Sequence, residues 1–276
     1  MPAYFHRPLN WISTFVFFFV ATPARQAVVR HLSIVLPRSW SLANYLRVFR
    51  VFSNFGWVLT DAAVYRLLDA PFSYELDGEN FLQQLATSTG AIVLTAHMGN
   101  YDLGAALFAG KFKRQLCMVR APEPDAVTAE HVDLSLQQSS AGAVRIGYSS
   151  DGTALAFDLL NALRNGEIIS IQGDRVVGEV GRAAVTLFGQ TVCLPTGPFV
   201  LALASEAPIF PLFIVRAGSR KYRIIAREPI VCSRGMGSRE EEIARAMQQW
   251  AQVLEEHVRR YWSQWFAFTP VFGEPS

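Results

Sequence analysis

Short apolar runs alternate with helical patterns along most of the chain, and this alternation is the strongest signal of its architecture. Runs rich in β-branched or aromatic residues and bounded by turn residues predict buried strands. Such runs cover residues 92–95, 116–120, 144–146, 168–172, 185–188, 209–215 and 222–226. Helical patterns separate them at residues 125–138, 153–165 and 197–205. The sequence therefore predicts an α/β fold with a mixed, largely parallel sheet that carries helices on both faces.

Helical patterns also precede and follow this alternation. Residues 25–35 and 41–68 have apolar positions near helical period, and no proline interrupts the second stretch before Pro71. Residues 240–261 predict a final packing helix, whose apolar side carries Ile243, Met247, Trp250, Leu254 and Tyr261. We expect residues 1–70 to hold an apolar anchor and basic helices. Residues 71–276 should form the α/β core, in a single domain with the preceding helices.

The apolar run at residues 9–21 is too short to cross a hydrocarbon core of roughly 30 Å comfortably, which takes about 20 residues. It predicts an interfacial or re-entrant membrane anchor. A secretory signal and a core helix of the domain remain alternatives. The arginines of the first 66 residues favour the cytoplasmic leaflet, where anionic headgroups attract them. They outnumber the single acid Asp61 in that stretch and are Arg7, Arg25, Arg30, Arg38, Arg47, Arg50 and Arg66.

Composition agrees with membrane association without identifying a function. The chain of 276 residues is 51% hydrophobic and 17% charged, with a mean hydropathy of +0.20. That is apolar and charge-poor for a soluble enzyme, so extra apolar surface is expected. Cys117, Cys193 and Cys232 are far apart and odd in number, which predicts neither a disulfide framework nor a zinc site and fits a reducing compartment. The isolated histidines are interpreted as surface or packing residues; they are His6, His31, His131 and His257.

The clearest candidate for chemistry is His97, which follows the apolar run at residues 92–95 after a single alanine. Gly99 and Asn100 are turn residues that tolerate positive φ, and a helix can begin near Tyr101. A strand-turn-helix of this kind puts His97 at the carboxyl end of a strand, where open α/β sheets bind ligands. The turn would bring Asp102 back towards the imidazole. A carboxylate there can hold one ring nitrogen protonated and leave the other as a general base.

These residues carry a resemblance to a known family. The block from His97 to Asp102 resembles the His-x-x-x-x-Asp/Glu block of the glycerolipid acyltransferases, in the branch that contains the lipid A lauroyl/myristoyl acyltransferases and the bacterial acyltransferases of mannosylated phosphatidylinositol. Residues 118–122, 172–175, 188–198 and 207–211 resemble later blocks of that branch in order and spacing. The resemblance spans roughly residues 25–272. One departure concerns Asp102, where the lipid A enzymes usually carry Glu, so acyl transfer is better supported than lipid A as the acceptor.

The resemblance and the local chemistry together imply roles for several residues. His97 would be the general base oriented by Asp102, and the tetrahedral oxyanion would need donors such as the amides near Gly99 and Asn100 or a guanidinium. Substrate contacts are expected from residues that follow predicted strands or open a helix; they are Gly99, Asn100, Arg120, Asp174, Arg175, Thr196 and Gly197. Arginine binds phosphate or phosphopantetheine through a planar fork. Surface ion pairs for the arginines, and a plain helix start at Thr196, remain alternatives.

Other function classes fit less well. Residues 147–151 miss the last glycine of a G-x-S-x-G nucleophile elbow, and neither a P-loop nor a G-x-G-x-x-G turn occurs. A non-catalytic membrane-bound lipid-binding protein is the main alternative, but it leaves the placement of His97 and the strand-end arginines unexplained. We expect an O-acyltransferase that moves an acyl chain from acyl carrier protein or coenzyme A to a hydroxyl of a membrane lipid or glycolipid. It should act at the cytoplasmic face of the bacterial inner membrane without cofactor, metal or nucleic acid.

Overall fold

The computed structural model describes residues 6–37, 40–68, 72–101, 114–121, 143–233 and 237–273. The helices of this part are α1 His6–Val20, α2 Thr22–Val35, α3 Ser41–Leu68, α4 Glu79–Thr87, α5 Gly152–Arg164, α6 Gly197–Ser205 and α7 Arg239–Tyr261. Its strands are β1 Ser73–Asp77, β2 Ala91–Thr95, β3 Leu116–Arg120, β4 Val144–Tyr148, β5 Ile168–Gln172, β6 Arg182–Leu187, β7 Gln190–Pro195, β8 Ile209–Gly218 and β9 Lys221–Ala226. Short 3₁₀ turns follow β4 and α7, at Ser149–Asp151 and Trp262–Gln264.

Within the described residues, seven strands form one mixed sheet in the order β1-β9-β8-β2-β5-β3-β4. The strands from β8 to β4 run parallel to one another, whereas β9 pairs antiparallel with β8 and parallel with β1. Alternate side chains of β2 enter two different cores. Ile92 and Leu94 join the core that contains α5, α6 and α7, while Ala91 and Val93 join the core that contains α4. The predicted mixed, largely parallel α/β fold is therefore confirmed.

The structure differs from the sequence prediction at the strand expected over residues 185–188. These residues lie not in the main sheet but in the antiparallel hairpin β6–β7, whose turn residues Phe188 and Gly189 both have positive φ, as two-residue hairpins prefer. The hairpin is held on α7 by Gln248, whose side chain exchanges two hydrogen bonds with the backbone of Thr186. β1, α4 and β7 are further elements that the pattern did not predict. The helix expected over residues 125–138 lies outside the described residues.

The N-terminal helices pack together with an unusual distribution of polarity. Asn10 and Thr14 of α1 are buried against α3, where a Cβ on Gly56 would lie only 2.1 Å from the Asn10 side-chain oxygen. The opposite side of α1 exposes large apolar side chains; they are Leu9, Trp11, Ile12, Phe15, Val16, Phe17, Phe19 and Val20. This exposure does not fit a core helix.

Among the described residues, no single helix is both long and apolar enough to cross a bilayer. Only the pair Pro8–Val20 and Thr22–Val35 reaches that length and composition, and its two members meet at an angle of 91°.

A third core joins α2 and α3 to the chain that follows α7. It contains Val28, Leu32, Phe52 and Phe266, among others. Residues 262–268 therefore pass between the N-terminal helices and the carboxyl edge of the sheet.

Candidate active site

The register of β2 and β5 brings His97 and Asp174 together. Thr95 is paired with Gln172 at the ends of these neighbouring parallel strands, and the Gly173 amide donates to the Thr95 carbonyl at 2.9 Å. His97 and Asp174 each stand two residues beyond their strand. Their side chains meet with His97 Nδ1 2.7 Å from Asp174 Oδ1.

Asp174 is fully buried and bonded through both carboxylate oxygens. Oδ2 accepts a hydrogen bond of 2.9 Å from the indole Nε1 of Trp265. Burial by itself would raise the pKa of Asp174, but the charge and hydrogen bond of His97, the charge of Arg175 and the bond from Trp265 outweigh it and hold the pKa below its usual range. The sequence assigned Asp174 to substrate binding. Both of its carboxylate oxygens are bonded within the protein, as an anion beside the imidazole, and a substrate contact at Asp174 stays a prediction.

This contact determines what the His97 ring can do. Because Asp174 accepts from Nδ1, the neutral ring carries its proton on Nδ1 and has the lone pair on Nε2. The side chain of His97 is 15% exposed, whereas that of Asp174 is 0% exposed. The ring of Tyr101 packs edge-on against the imidazole with centroids 5.7 Å apart. The arrangement is that of a histidine whose second nitrogen can accept a proton at the edge of the sheet.

The loop after His97 is bound tightly to neighbouring strands and turns. Gly99 has φ +58°, and a Cβ there would lie 1.8 Å from the Ile214 carbonyl oxygen, so no other residue fits without moving backbone. Its amide donates to the Gln264 carbonyl, and the Asn100 amide donates to the Ile214 carbonyl. Both amides predicted as oxyanion donors are thus engaged within the protein. A substrate contact at Gly99 or Asn100 stays a prediction.

Asp102 lies outside the described residues. The pairing of His97 with Asp102 therefore stays a prediction beside the observed contact with Asp174.

Residues 262–272 complete the site, and the sequence analysis missed them. The Phe266 amide donates to the His97 carbonyl at 2.7 Å, and Trp265 supplies the bond to Asp174. Behind Trp265 lies His31, with ring centroids 5.3 Å apart, which accepts a hydrogen bond from the Val271 amide. Burial lowers the pKa of His31 to about 4, so this ring is neutral near pH 7 and serves packing, as expected. No local pattern marks these residues, because their partners are far away in the chain.

The two predicted arginines occupy different positions on the same edge. Arg175 directly follows Asp174, and its Nη1 donates to the Phe266 carbonyl at 3.2 Å. Its Nε is buried and has no hydrogen-bond partner among the described residues. Arg120 ends β3, and the register of Met118 with Ser170 of β5 places it level with the end of β5. The substrate roles of both arginines stay predictions.

Thr196 and Gly197 open α6 at this edge as well. α6 is followed after a short loop by β8 and contacts β8 and β2, so its N-terminus lies at the carboxyl edge of the strands. The Thr196 carbonyl accepts hydrogen bonds from the amides of Phe199 and Val200, and the Thr196 amide donates to the Gly181 carbonyl. Gly197 is exposed, and no atom of the described residues lies within 4 Å of the place of a Cβ. The position fits the predicted substrate contact, which stays a prediction.

Comparison with known proteins assigns the chain to a family. Residues 72–273 match the family described as bacterial lipid A biosynthesis acyltransferase, a range that covers the whole sheet, His97, Asp174 and the segment after α7. A search of curated proteins found no match. The match covers well over half of the chain and supports an enzyme rather than a non-catalytic lipid-binding protein. The chain belongs to the bacterial lipid A biosynthesis acyltransferase family, and it is an acyltransferase.

Proposed function

We propose that this protein transfers a fatty acyl chain from the thioester of acyl carrier protein or coenzyme A to a hydroxyl of a membrane lipid or glycolipid, such as a lipid A precursor. The contact between His97 Nδ1 and the buried Asp174 carboxylate carries the proposal. It supplies an oriented base at the carboxyl edge of a parallel sheet, which is what acyl transfer to a hydroxyl requires.

The reaction then proceeds without a covalent enzyme intermediate. The acceptor oxygen attacks the thioester carbonyl carbon while His97 Nε2 takes the hydroxyl proton, and Asp174 stabilises the imidazolium that forms. The tetrahedral intermediate collapses by breaking the carbon–sulfur bond. The leaving thiolate takes the proton from Nε2, so the neutral ring is restored with the ester and the free thiol as products.

Arg175 is the best-supported substrate ligand. Its Nε is a buried donor without a partner in the described part of the chain, next to the catalytic pair. A substrate oxygen that accepts a hydrogen bond from this donor would remove the cost of leaving it unpaired. That oxygen could belong to the developing oxyanion or to a phosphate. Arg120 and the Gly197 amide at the start of α6 lie along the same edge and suit the phosphates of the donor's phosphopantetheine arm or of a lipid headgroup. Asp102 is retained in the proposal as a second carboxylate near the histidine.

The distribution of polarity in α1 supports association with a membrane. A helix that buries Asn10 and Thr14 and exposes its apolar side is reversed relative to a surface helix in water. Ser13 is exposed on this side, but its hydroxyl donates to the Leu9 carbonyl and thus presents no free donor. The exposed apolar surface continues at the start of α3 with Trp40, Leu42, Tyr45 and Leu46. We propose a peripheral or monotopic anchor at the cytoplasmic face of the bacterial inner membrane.

Lipid analysis tests the activity and identifies the acceptor. Mass spectrometry of lipids from cells with and without the gene should show one product class heavier by one acyl chain, and His97→Ala should abolish that shift. Purified enzyme offered acyl carrier protein or coenzyme A thioesters then identifies the donor. A shift on a lysophospholipid or a phosphatidylinositol mannoside instead of a lipid A precursor would change the acceptor. No acyl shift with any lipid, or a full shift with folded His97→Ala, contradicts the mechanism.

Two matched substitutions test the anchor. Replacing Trp11 and Phe15 of α1 by Ser should release the protein from phosphatidylglycerol vesicles in a sedimentation assay. Phe157→Ser is the control, because Phe157 on α5 is as exposed as Trp11, at 64% against 61%, but lies outside the N-terminal helices. Equal binding of all variants would move the membrane surface elsewhere.

A further inference from the structure

A buried acid on α3 has no part in the mechanism above. Asp61 is the single acid among the first 66 residues and is 3% exposed. One of its oxygens, Oδ2, accepts from Arg216 Nε of β8 at 2.7 Å and from the Tyr222 hydroxyl of β9 at 2.9 Å. The Arg216 guanidinium also lies 5.0 Å from the ring centroid of Trp57, one turn earlier on α3. This cluster joins a helix to two strands through a charge inside the protein.

Tyr222 and Arg216, the two partners of Asp61, are each connected to the loop that follows His97. The side chain of Asn100 interacts with the Tyr222 hydroxyl. The backbone of Arg216 exchanges two hydrogen bonds with the Gln264 side chain, at 2.7 and 2.9 Å. The Gln264 carbonyl in turn accepts the Gly99 amide at 3.0 Å. Gly99 and Asn100, two and three positions beyond His97, are thus both connected to the same carboxylate.

Stability alone does not explain a buried charge at this place. Replacing a buried ion pair by apolar side chains of similar volume is often neutral or stabilising, so such a pair is weak evidence for a role in stability. A buried charge with hydrogen bonds in fixed directions does hold its partners in place, and here these partners lead to the loop beside the proposed base, His97. Displacements near 1 Å at a reacting group can cost about a hundredfold in rate.

We infer that Asp61, acting through Tyr222 and Asn100, is a positioning residue for His97. It fixes the loop that determines where the imidazole and the packed ring of Tyr101 stand. The inference rests on the proposed role of His97 as the base. It also gives α3 two tasks, since Leu46 in the exposed apolar region lies 15 residues before Asp61, about 22 Å along the same helix. A helix that carries part of the exposed apolar surface thus also supports the base.

Steady-state kinetics of two variants test the inference. Asp61→Asn removes the charge, and Tyr222→Phe removes only the hydroxyl between Asp61 and Asn100. In each, kcat should fall by roughly ten- to a hundredfold with little change in KM for the acyl donor, because the base and not the donor site is displaced. The double variant should lose little more than either single one, since both break the same chain of bonds.

The matched control is Glu242→Gln on α7. Glu242 is also buried and is also bonded to an arginine, Arg245, and to one further donor, the Ser233 amide. Neither of these partners belongs to the His97 loop, so this variant should lose stability without loss of kcat. A second readout is independent of turnover. The rate at which diethyl pyrocarbonate modifies His97, followed by peptide mass spectrometry, should change in Tyr222→Phe and not in the control.

The outcomes separate this inference from the proposed function. Full activity in folded His97→Ala would overturn the function and the inference together. If activity depends on His97 but Tyr222→Phe keeps wild-type kcat and wild-type His97 modification, only the positioning role is overturned. Asp61→Asn that fails to fold leaves Tyr222→Phe as the deciding variant. Additive losses in a folded double variant would also contradict a shared path.

Discussion

Asp174→Asn should inactivate the enzyme by exchanging the tautomer of His97, with little change in shape. The carboxylate faces two donors, His97 Nδ1 at 2.7 Å and Trp265 Nε1 at 2.9 Å. An amide offers one acceptor and one donor group in their place. Because an indole N–H cannot accept a hydrogen bond, the amide oxygen must face Trp265 and the NH₂ group must face the imidazole. Nδ1 then has to be the acceptor, so the proton moves to Nε2 and the base is lost.

The structure sets the size of the effect. Loss of a general base costs on the order of 10²–10⁴ in rate, and the corresponding replacement in Ser-His-Asp triads, which also gives the wrong tautomer, costs about 10⁴. Because Asp174 is fully buried, we expect the upper part of that range. A loss of roughly 10³–10⁴ in kcat corresponds to about 4–5 kcal/mol of transition-state stabilisation.

The assay is turnover of a purified, folded variant with the acyl donor and lipid acceptor, beside Asp102→Asn. A second background makes the test specific. In Trp265→Phe the indole donor is absent, so the amide introduced by Asp174→Asn can turn its oxygen to His97. Asp174→Asn should therefore reduce kcat at least roughly tenfold less in the Trp265→Phe background than in the wild type. An equal cost in both backgrounds would refute the tautomer argument. If Asp174→Asn stays active while Asp102→Asn does not, Asp102 is the partner of the base.

Three further predictions concern other parts of the site. His31 is protonated more readily in the unfolded chain, with a pKa of 6.5 against about 4 when folded, so the free energy of unfolding should fall as the pH drops through this window. Urea titrations at pH 7 and pH 4 should show that His31→Gln removes up to roughly 3 kcal/mol of this loss. The same pH dependence in the wild type and the variant would contradict the prediction. Gly99→Ala should lower the melting temperature and kcat much more than Gly189→Ala does. Both glycines have positive φ, but only at Gly99 would the new Cβ meet a backbone oxygen, at 1.8 Å. Equal losses in the two variants would mean that the loop after His97 adapts. Arg175→Lys should reduce kcat/KM at least about tenfold, since lysine cannot bond the Phe266 carbonyl and present a second fixed donor at once; kinetics near wild type would remove Arg175 from the site.

The placement of His97 at a strand end could be predicted from sequence, but its observed partner could not be identified. His97 was visible because a polar ring follows a buried run directly. Asp174 was visible only as a strand-end residue, and its partnership depends on β2 and β5 being neighbours in register. Once that register is known, residues two positions beyond each strand must meet. Strand order is decided by the packing of whole layers, which local patterns do not report.

The elements that were not predicted each have a weak or ambiguous local pattern. β1 is an edge strand, and its burial pattern lacks a fully buried residue, so it shows no apolar run. α4 is short, and Leu82 and Leu85 are its buried residues, too few for a clear period. The hairpin strand over residues 185–188 did have the expected pattern. The sheet to which it was assigned was wrong, because alternation predicts a half-buried strand but does not indicate which sheet the strand joins.

The segment at residues 262–272 has a consequence for synthesis of the enzyme. It is bonded to Asn54, Asp174 and His31, which precede their partners by 209, 91 and 240 residues. On the ribosome, the strands and the side chains of His97 and Asp174 emerge first, while Trp265 and Phe266 are still missing. A nascent chain stopped after Tyr261 would have its sheet but neither the indole that holds Asp174 nor the amide that holds the His97 backbone. We therefore expect acyl transfer to begin only when translation has passed this segment.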